Sequence, residues 1–197
     1  SIDWASERTQ AEAWLIATFS LPAETDFSYP GPLGSDPHMI RGQELWNLGL
    51  YEEARNEYEV VRQSIQEDPL SLYRLTNTLY DLRLYRSAIL AARQILNLAG
   101  MSDAGTMNAP LYFNHIRFGI YFSELILPAA LENDFHPLFL TSVVRQESAF
   151  EGFVRSSAGA RGLMQIIPAT GQELATKLNW PPEYSDEDLY RPVVSVK

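Results

Sequence analysis

The stretch that decides the fold runs from residue 136 to 170 and reads HPLFLTSVVRQESAFEGFVRSSAGARGLMQIIPAT. Its first part predicts a helix that begins at Pro137, because proline has no N–H to lose at the first helical position. Within this helix, positions i, i+3, i+4 and i+7 share one face, and they are occupied by Leu140, Val143, Val144 and Glu147. The pattern therefore predicts that Glu147 lies on a buried stripe at the C-terminal end of the helix.

A carboxyl group in that position has a chemical consequence. Burial disfavours the charged form, and the C-terminal end of a helix carries negative partial charge. Both effects favour the protonated acid, which is the form that a general acid needs near neutral pH. Periodicity leaves a second interpretation open, in which Glu147 pairs with an arginine or is an ordinary polar helix end.

The residues after Glu147 follow a longer pattern of fixed spacing: Glu-Ser-x-Phe, a serine, Gly-Ala-x-Gly-Leu-Met-Gln and Pro-x-Thr. The matching positions are Glu147, Ser148, Phe150, Ser156, Gly159, Ala160, Gly162, Leu163, Met164, Gln165, Pro168 and Thr170. This pattern resembles the signature of the soluble lytic transglycosylases, whose catalytic domain has a goose-type-lysozyme-like fold. The chain departs from it after Phe150, where the family commonly has Asn-Pro and this sequence has Glu151 and Gly152.

The resemblance implies an enzyme that cleaves the β-1,4 bond between N-acetylmuramic acid and N-acetylglucosamine in peptidoglycan. Glu147 would protonate the leaving oxygen and then act as a base on the muramyl C6 hydroxyl, giving a 1,6-anhydro product. A tethered hydroxyl has the advantage of high effective molarity, so one carboxylate can serve where ordinary glycosidases use two. Ser156 and Gln165 would hydrogen-bond the sugars and Met164 would line the groove. No cofactor and no metal is implied.

Two further hypotheses remain open. If the helix continued to residue 151, Glu151 would lie four positions from Glu147, and a muramidase-type hydrolase could use the two carboxylates. The residue pattern favours a solvated Glu151 at the helix end, with Gly152 ending the helix. The other hypothesis is a non-catalytic glycan-binding or scaffold module.

Gly159 and Gly162 are expected to allow positive φ and close backbone approach in a loop that lies against a polysaccharide.

An internal repeat precedes this stretch. Residues 45–54 read LWNLGLYEEA and residues 79–88 read LYDLRLYRSA, an offset of 34 positions, which is the tetratricopeptide period. We therefore predict an all-α protein, with a superhelical, TPR-like region of helical hairpins over 1–130 and part of a lysozyme-like domain over 131–197. The second domain is expected to be truncated, because the family's later Gly-x-x-Tyr-Leu and Ala-Tyr-Asn-Ala-Gly segments are missing. Whether the hairpins bind a protein partner stays open.

Composition excludes several classes of function. A formal charge of −10 argues against a nucleic-acid partner, because such binders neutralise phosphates with a basic face. The absence of cysteine excludes disulfides and thiolate zinc sites, and His38, His115 and His136 lack metal-ligand spacing. No apolar run approaches the roughly 20 residues that span a bilayer. We expect a periplasmic or other extracytoplasmic location, assuming a removed signal peptide, with peptidoglycan glycan strands as the partner.

Overall fold

The computed structural model describes residues 2–197, and all regular elements in this range are helices. The chain forms two compact units, of which the first ends at Gly119 and the second is Ile120–Lys197. Within residues 2–197, no helix has the length and apolar character needed to cross a membrane. The predicted all-α fold class is confirmed.

The described part of the first unit, residues 2–119, contains six α-helices: α1 (Trp4–Phe19), α2 (Pro37–Asn47), α3 (Tyr51–Ser64), α4 (Pro69–Asp81), α5 (Tyr85–Leu98) and α6 (Leu111–Arg117). Helix α2 packs against α3 and α4 packs against α5, so each pair is a helical hairpin. Contacts between α3 and α5 join the two hairpins. Helix α1 packs on α4 and α6, and α6 also packs on α5.

The 34-residue repeat corresponds to these two hairpins. Gly49 in the first turn and Arg83 in the second both have positive φ, at 77° and 60°. The left-handed conformation costs a non-glycine residue about 1 kcal/mol. Arg83 nevertheless adopts it in the second turn, as Gly49 does in the first. The same hydrogen bond closes each turn, from Leu50 N to Leu45 O at 3.0 Å and from Leu84 N to Leu79 O at 2.9 Å.

A buried arginine holds the irregular connection between α1 and α2. Arg74 of α4 is only 8% exposed, and its guanidinium donates to the backbone carbonyls of Asp26 at 2.5 Å and Ser28 at 3.2 Å. Carbonyl groups outside a helix need such partners when they are withdrawn from water. This connection also contains a short 3₁₀ turn, Gly31–Ser35.

The second unit contains α7 (Ser123–Glu132), α8 (Pro137–Ser148), α9 (Pro168–Leu178), α10 (Pro192–Val196) and a 3₁₀ turn at Asp186–Tyr190. Helix α7 packs on α8 and α10, while the 3₁₀ turn packs on α9 and α10. These contacts assign α7 to the second unit. The division therefore falls between Gly119 and Ile120, ahead of the predicted boundary at residue 130, which would cut through α7.

Candidate active site

Helix α8 begins at Pro137, as the sequence predicts, and ends at Ser148. The next two residues, Ala149 and Phe150, are left-handed with φ of 48° and 68°. Two consecutive left-handed residues cannot continue a right-handed helix. The prediction that Gly152 ends the helix is therefore wrong, because the chain has already left the helical conformation at Ala149.

Glu147 is the penultimate residue of α8, and its side chain is exposed. The prediction of a buried Glu147 is wrong. Leu140 and Val144 are buried as expected, but on the last turn the buried residue is Ser148, which is 6% exposed. The buried stripe thus follows the i, i+4, i+8 row of the helix, which leaves Glu147 on the solvent side.

The carboxylate of Glu147 stands alone at the end of α8. Within residues 2–197, its side chain forms neither an ion pair nor a hydrogen bond. Pairing with an arginine, one part of the second interpretation, is therefore not found within residues 2–197. The other part, an ordinary polar helix end, agrees with the exposed side chain. The structure shows an exposed Glu147 side chain at the end of α8.

Glu151 has the opposite environment. It lies outside α8 and is 1% exposed, and its N–H donates to the Ser148 carbonyl at 3.2 Å. The prediction of a solvated acid at the helix end is wrong, because the chain turns inward after the helix stops. The i, i+4 arrangement with Glu147 does not form, because Glu151 lies beyond the end of α8.

The glycine-containing loop, which we define as residues 154–166, follows Glu151. Isolated backbone bridges join Arg155 to Arg161 and Arg161 to Ile166. The positive φ predicted for Gly159 and Gly162 is confirmed, at 83° and 75°. These conformations let the loop reverse direction twice over a short span.

Ser156, one of the predicted substrate contacts, closes the first turn of this loop. Its Oγ accepts the N–H of Ala160 at 3.0 Å, and its own N–H donates to the Ala160 carbonyl at 2.9 Å. The side chain is half-buried. Because Oγ accepts from the backbone, the hydroxyl proton remains available for donation to a ligand.

Met164 and Gln165, the other two predicted contacts, are half-buried at the second turn. Gln165 has a φ of 50°. Its Nε2 donates to the carbonyls of Gly162 at 2.9 Å and Val154 at 3.3 Å. The structure thus places Ser156, Met164 and Gln165 in one loop. In the described part of the chain, no hydrogen bond joins their side chains to Glu147.

The second turn of the loop contacts the C-terminal segment, which we define as residues 179–197, after the end of α9. A Cβ on Gly162 would lie 1.9 Å from the Leu189 carbonyl oxygen, so its close approach is to the protein's own backbone. Arg161 Nη1 is 2.6 Å from Glu187 Oε1, and its guanidinium lies 5.6 Å from the centre of the Tyr190 ring. Sequence reasoning did not connect the loop to this segment, because no periodic pattern links the two.

The 3₁₀ turn in that segment begins with a capping box formed by Ser185 and Asp188. Ser185 N–H donates to Asp188 Oδ2 at 2.8 Å, and Arg191 Nη1 donates to Asp188 Oδ1 at 2.9 Å. The backbone hydrogen bond from Ser185, followed by the one from Arg191, holds the pKa of Asp188 below its usual value of 3.8. The charged carboxylate therefore stabilises the folded state.

We expect Asp188→Asn to reduce the local stability of residues 185–191 at pH 7 by about 1 kcal/mol, which is within the range for one member of a capping box. A lowered pKa contributes stability that is present above the unfolded-state pKa and is lost as pH falls through the folded-state pKa. The difference between wild type and variant should therefore shrink below about pH 4. Amide hydrogen exchange at pH 7 and pH 3 checks this. Glu183→Gln, at an exposed glutamate nearby, is the control, and a difference independent of pH would contradict the prediction.

Beside the loop lies a small apolar pocket of about 70 Å³, between α9 and the C-terminal segment. Its wall includes Ile166, which follows Gln165 directly, together with Leu174 and Trp180. The volume is too small for an organic cofactor. Among residues 2–197, no group of three histidine, aspartate or glutamate side chains could hold a metal ion.

A family model described as the transglycosylase SLT domain matches residues 124–197. This part of the chain is therefore similar to the SLT domain. The match includes nearly all of α7, then α8, the glycine-containing loop and the C-terminal segment that supports it. The resemblance to the soluble lytic transglycosylases is confirmed.

Relatives extend the similarity upstream of the SLT domain. The chain is 28% identical over 167 residues to the soluble lytic murein transglycosylase of Escherichia coli K12, covering 83% of this chain and 23% of that protein. The lytic transglycosylase Slt of Pseudomonas aeruginosa, solved as an inactive glutamate-to-glutamine mutant, superposes with a TM-score of 0.65. The alignment has 22% sequence identity and covers 98% of this chain and 31% of the P. aeruginosa chain.

The 70-kDa soluble lytic transglycosylase of Escherichia coli superposes with a TM-score of 0.63 at 21% identity, over 94% of this chain and 28% of that one. The chain therefore spans less than a third of the length of each of these relatives. The structural likeness shows a shared fold in both parts of the chain.

Proposed function

We propose that this chain carries the acid/base residue of a peptidoglycan lytic transglycosylase. The observation that carries the proposal is an exposed, unpartnered Glu147 at the end of α8, directly ahead of a loop that contains Ser156, Met164 and Gln165. The E. coli relative is named for its action on murein, which supports peptidoglycan as the substrate class. The bond cleaved is the β-1,4 link between N-acetylmuramic acid and N-acetylglucosamine.

In the first half of the reaction, the carboxylic acid of Glu147 donates its proton to the glycosidic oxygen. The bond from muramyl C1 to that oxygen breaks, and N-acetylglucosamine leaves with a free C4 hydroxyl. Positive charge develops at C1 and the ring oxygen, as in other glycosidases. An exposed carboxyl at a helix end can reach a substrate that lies over the surface.

In the second half, the carboxylate of Glu147 takes the proton from the muramyl C6 hydroxyl. The C6 oxygen forms a bond to C1 and closes the 1,6-anhydro ring. Glu147 is protonated again and no water is consumed. The nucleophile belongs to the same sugar, so its effective concentration is far above that of an external alcohol, and a second carboxylate is not needed.

The loop side chains have hydrogen-bonding capacity suited to sugars. The Ser156 hydroxyl accepts a backbone N–H, so it would donate to a sugar oxygen. Gln165 Nε2 is engaged by two backbone carbonyls, so its Oε1 would accept from a sugar hydroxyl or amide. The Met164 side chain would pack on an apolar face of the sugar and line the groove.

Two observations bear on the alternatives. In the P. aeruginosa relative, a glutamate-to-glutamine mutant is inactive, which supports a chemistry that depends on one glutamate, and we assign that role here to Glu147. Burial of Glu151 argues against its use as the second carboxylate of a retaining hydrolase, and so supports a single acid/base residue. The compartment that fits this substrate is the periplasm or another extracytoplasmic space. The proposed chemistry uses neither a cofactor nor a metal.

Mass spectrometry of the soluble products released from purified peptidoglycan tests the proposal. We expect muropeptides that are lighter by one water than the products of hydrolysis. Hydrated reducing ends would support the muramidase-type hydrolase instead. Co-sedimentation with peptidoglycan without any soluble product would support a non-catalytic glycan-binding or scaffold module, and would overturn the proposed activity.

A further inference from the structure

We infer that Ser195 is a positioning residue. Its hydroxyl fixes the backbone of Met164, and through it the Met164–Gln165 pair of the glycine-containing loop. The catalytic consequence of this inference rests on the proposed function. The positioning itself rests on geometry alone. Ser195 lies outside the glycine-containing loop, in α10.

The central contact joins residues that are 31 positions apart. The backbone N–H of Met164 donates to Ser195 Oγ at 3.0 Å. Ser195 is 3% exposed, so water cannot readily replace its hydroxyl as the acceptor. Donors in such surroundings are nearly always paired in native proteins. Loss of the Ser195 hydroxyl would therefore force the Met164 amide to move or to remain unsatisfied.

A second observation shows that the Ser195 hydroxyl fits the loop closely. A Cβ built on Gly162 would lie 3.0 Å from Ser195 Oγ and 1.9 Å from the Leu189 carbonyl oxygen. The absence of a side chain at Gly162 is thus what lets Ser195 and Leu189 approach. Two backbone positions of the same turn, Gly162 and Met164, rest against the C-terminal segment.

The same turn determines where Gln165 points. Gln165 donates its backbone N–H to the Gly162 carbonyl at 3.2 Å and its Nε2 to the same oxygen at 2.9 Å. Met164 lies in the chain between Gly162 and Gln165, so a displacement of Met164 changes the backbone that connects them. Gln165 would then lose the orientation in which its Oε1 is left for a ligand.

The other polar tie between the loop and this segment is weaker. Arg161 Nη1 contacts Glu187 at 2.6 Å, but the Glu187 side chain is 75% exposed. Ion pairs with so exposed a partner contribute little to stability. The Ser195 hydroxyl is buried, and for this reason we assign the positioning role to it rather than to the ion pair.

Amide hydrogen exchange in the full chain tests the positioning directly. In Ser195→Ala, we expect exchange at the Met164 amide to accelerate about tenfold or more relative to the other amides of the second unit, because its acceptor is lost. In Ser195→Thr, which keeps an Oγ, exchange should stay near the wild-type rate. Ser142→Ala is the matched control, since it removes a hydroxyl that bonds a helix carbonyl on the exposed side of α8.

Digestion of purified peptidoglycan tests the catalytic consequence. We expect kcat/KM to fall about tenfold in Ser195→Ala, with recovery in Ser195→Thr and no change in Ser142→Ala. An unchanged Met164 exchange rate in Ser195→Ala, or equal losses in the alanine and threonine variants, would overturn the inference. If wild type releases no anhydro product, the proposed function fails, and the exchange rates still decide whether Ser195 positions the loop.

Discussion

Replacement of Glu147 by glutamine is expected to lower the rate of anhydro-product release from purified peptidoglycan by about 10³-fold. The amide has nearly the same shape as the carboxyl group, but it can neither donate the proton to the glycosidic oxygen nor take one from the C6 hydroxyl. Glu147 is exposed and makes no side-chain hydrogen bond or ion pair in the described residues 2–197. The free energy of unfolding should therefore change by less than about 0.5 kcal/mol.

The matched control for this variant is Glu132→Gln. Glu132 is an exposed glutamate at the end of α7 in the same unit, so its replacement makes the same change of charge at a residue that is not part of the loop or of α8. Initial rates of product release should be unchanged in the control. A Glu147→Gln protein that is folded and retains the wild-type rate would show that another group supplies the acid, and would remove the basis of the proposed mechanism.

Replacement of Gly162 by alanine is expected to destabilise the second unit by about 4 kcal/mol, from two additive causes. A positive φ of 75° is unfavourable for any residue with a Cβ. That Cβ would also lie 1.9 Å from the Leu189 carbonyl oxygen, a backbone atom that cannot rotate away. Relief requires the loop and the C-terminal segment to separate, which adds the usual cost of overpacking.

Gly159→Ala separates the two causes. Gly159 has a similar φ of 83°, but the nearest atom to a Cβ there is the end of the Arg155 side chain at 4.0 Å. We expect this variant to cost only about 1 kcal/mol, from backbone conformation alone. Native-state hydrogen exchange of the slowest amides in Ile120–Lys197 measures both values. Equal costs for the two variants would show that the contact with Leu189 does not limit the loop.

Local features of the second unit could be predicted because their causes lie within a few residues. Pro137 starts α8 since its fixed φ suits the first helical turn. Ser185 and Asp188 form a capping box because the two side chains satisfy each other's backbone groups. Positive φ at Gly159 and Gly162 follows from the lack of a side chain. None of these depends on distant parts of the chain.

The exposure of Glu147 and the burial of Glu151 could not be predicted in the same way. Helical period gives the direction of a side chain around its own axis, but not which part of the helix another element covers. On the last turn of α8 the covered residue is Ser148, so Glu147 is exposed. Glu151 is buried because the chain leaves the helix at Ala149 and turns inward, a change that no periodic pattern announces.

The sequence by itself determined the all-α class, the SLT signature and the identity of the carboxyl group at the end of α8. These properties depend on residue types at short, fixed spacing. Only the tertiary structure placed the Leu189 carbonyl against Gly162 and the Ser195 hydroxyl beneath the Met164 amide. Such pairs are separated by about 30 positions, and their contact depends on how α10 and the 3₁₀ turn pack beside the loop. Packing of that kind is a property of the whole unit, and no local spacing encodes it.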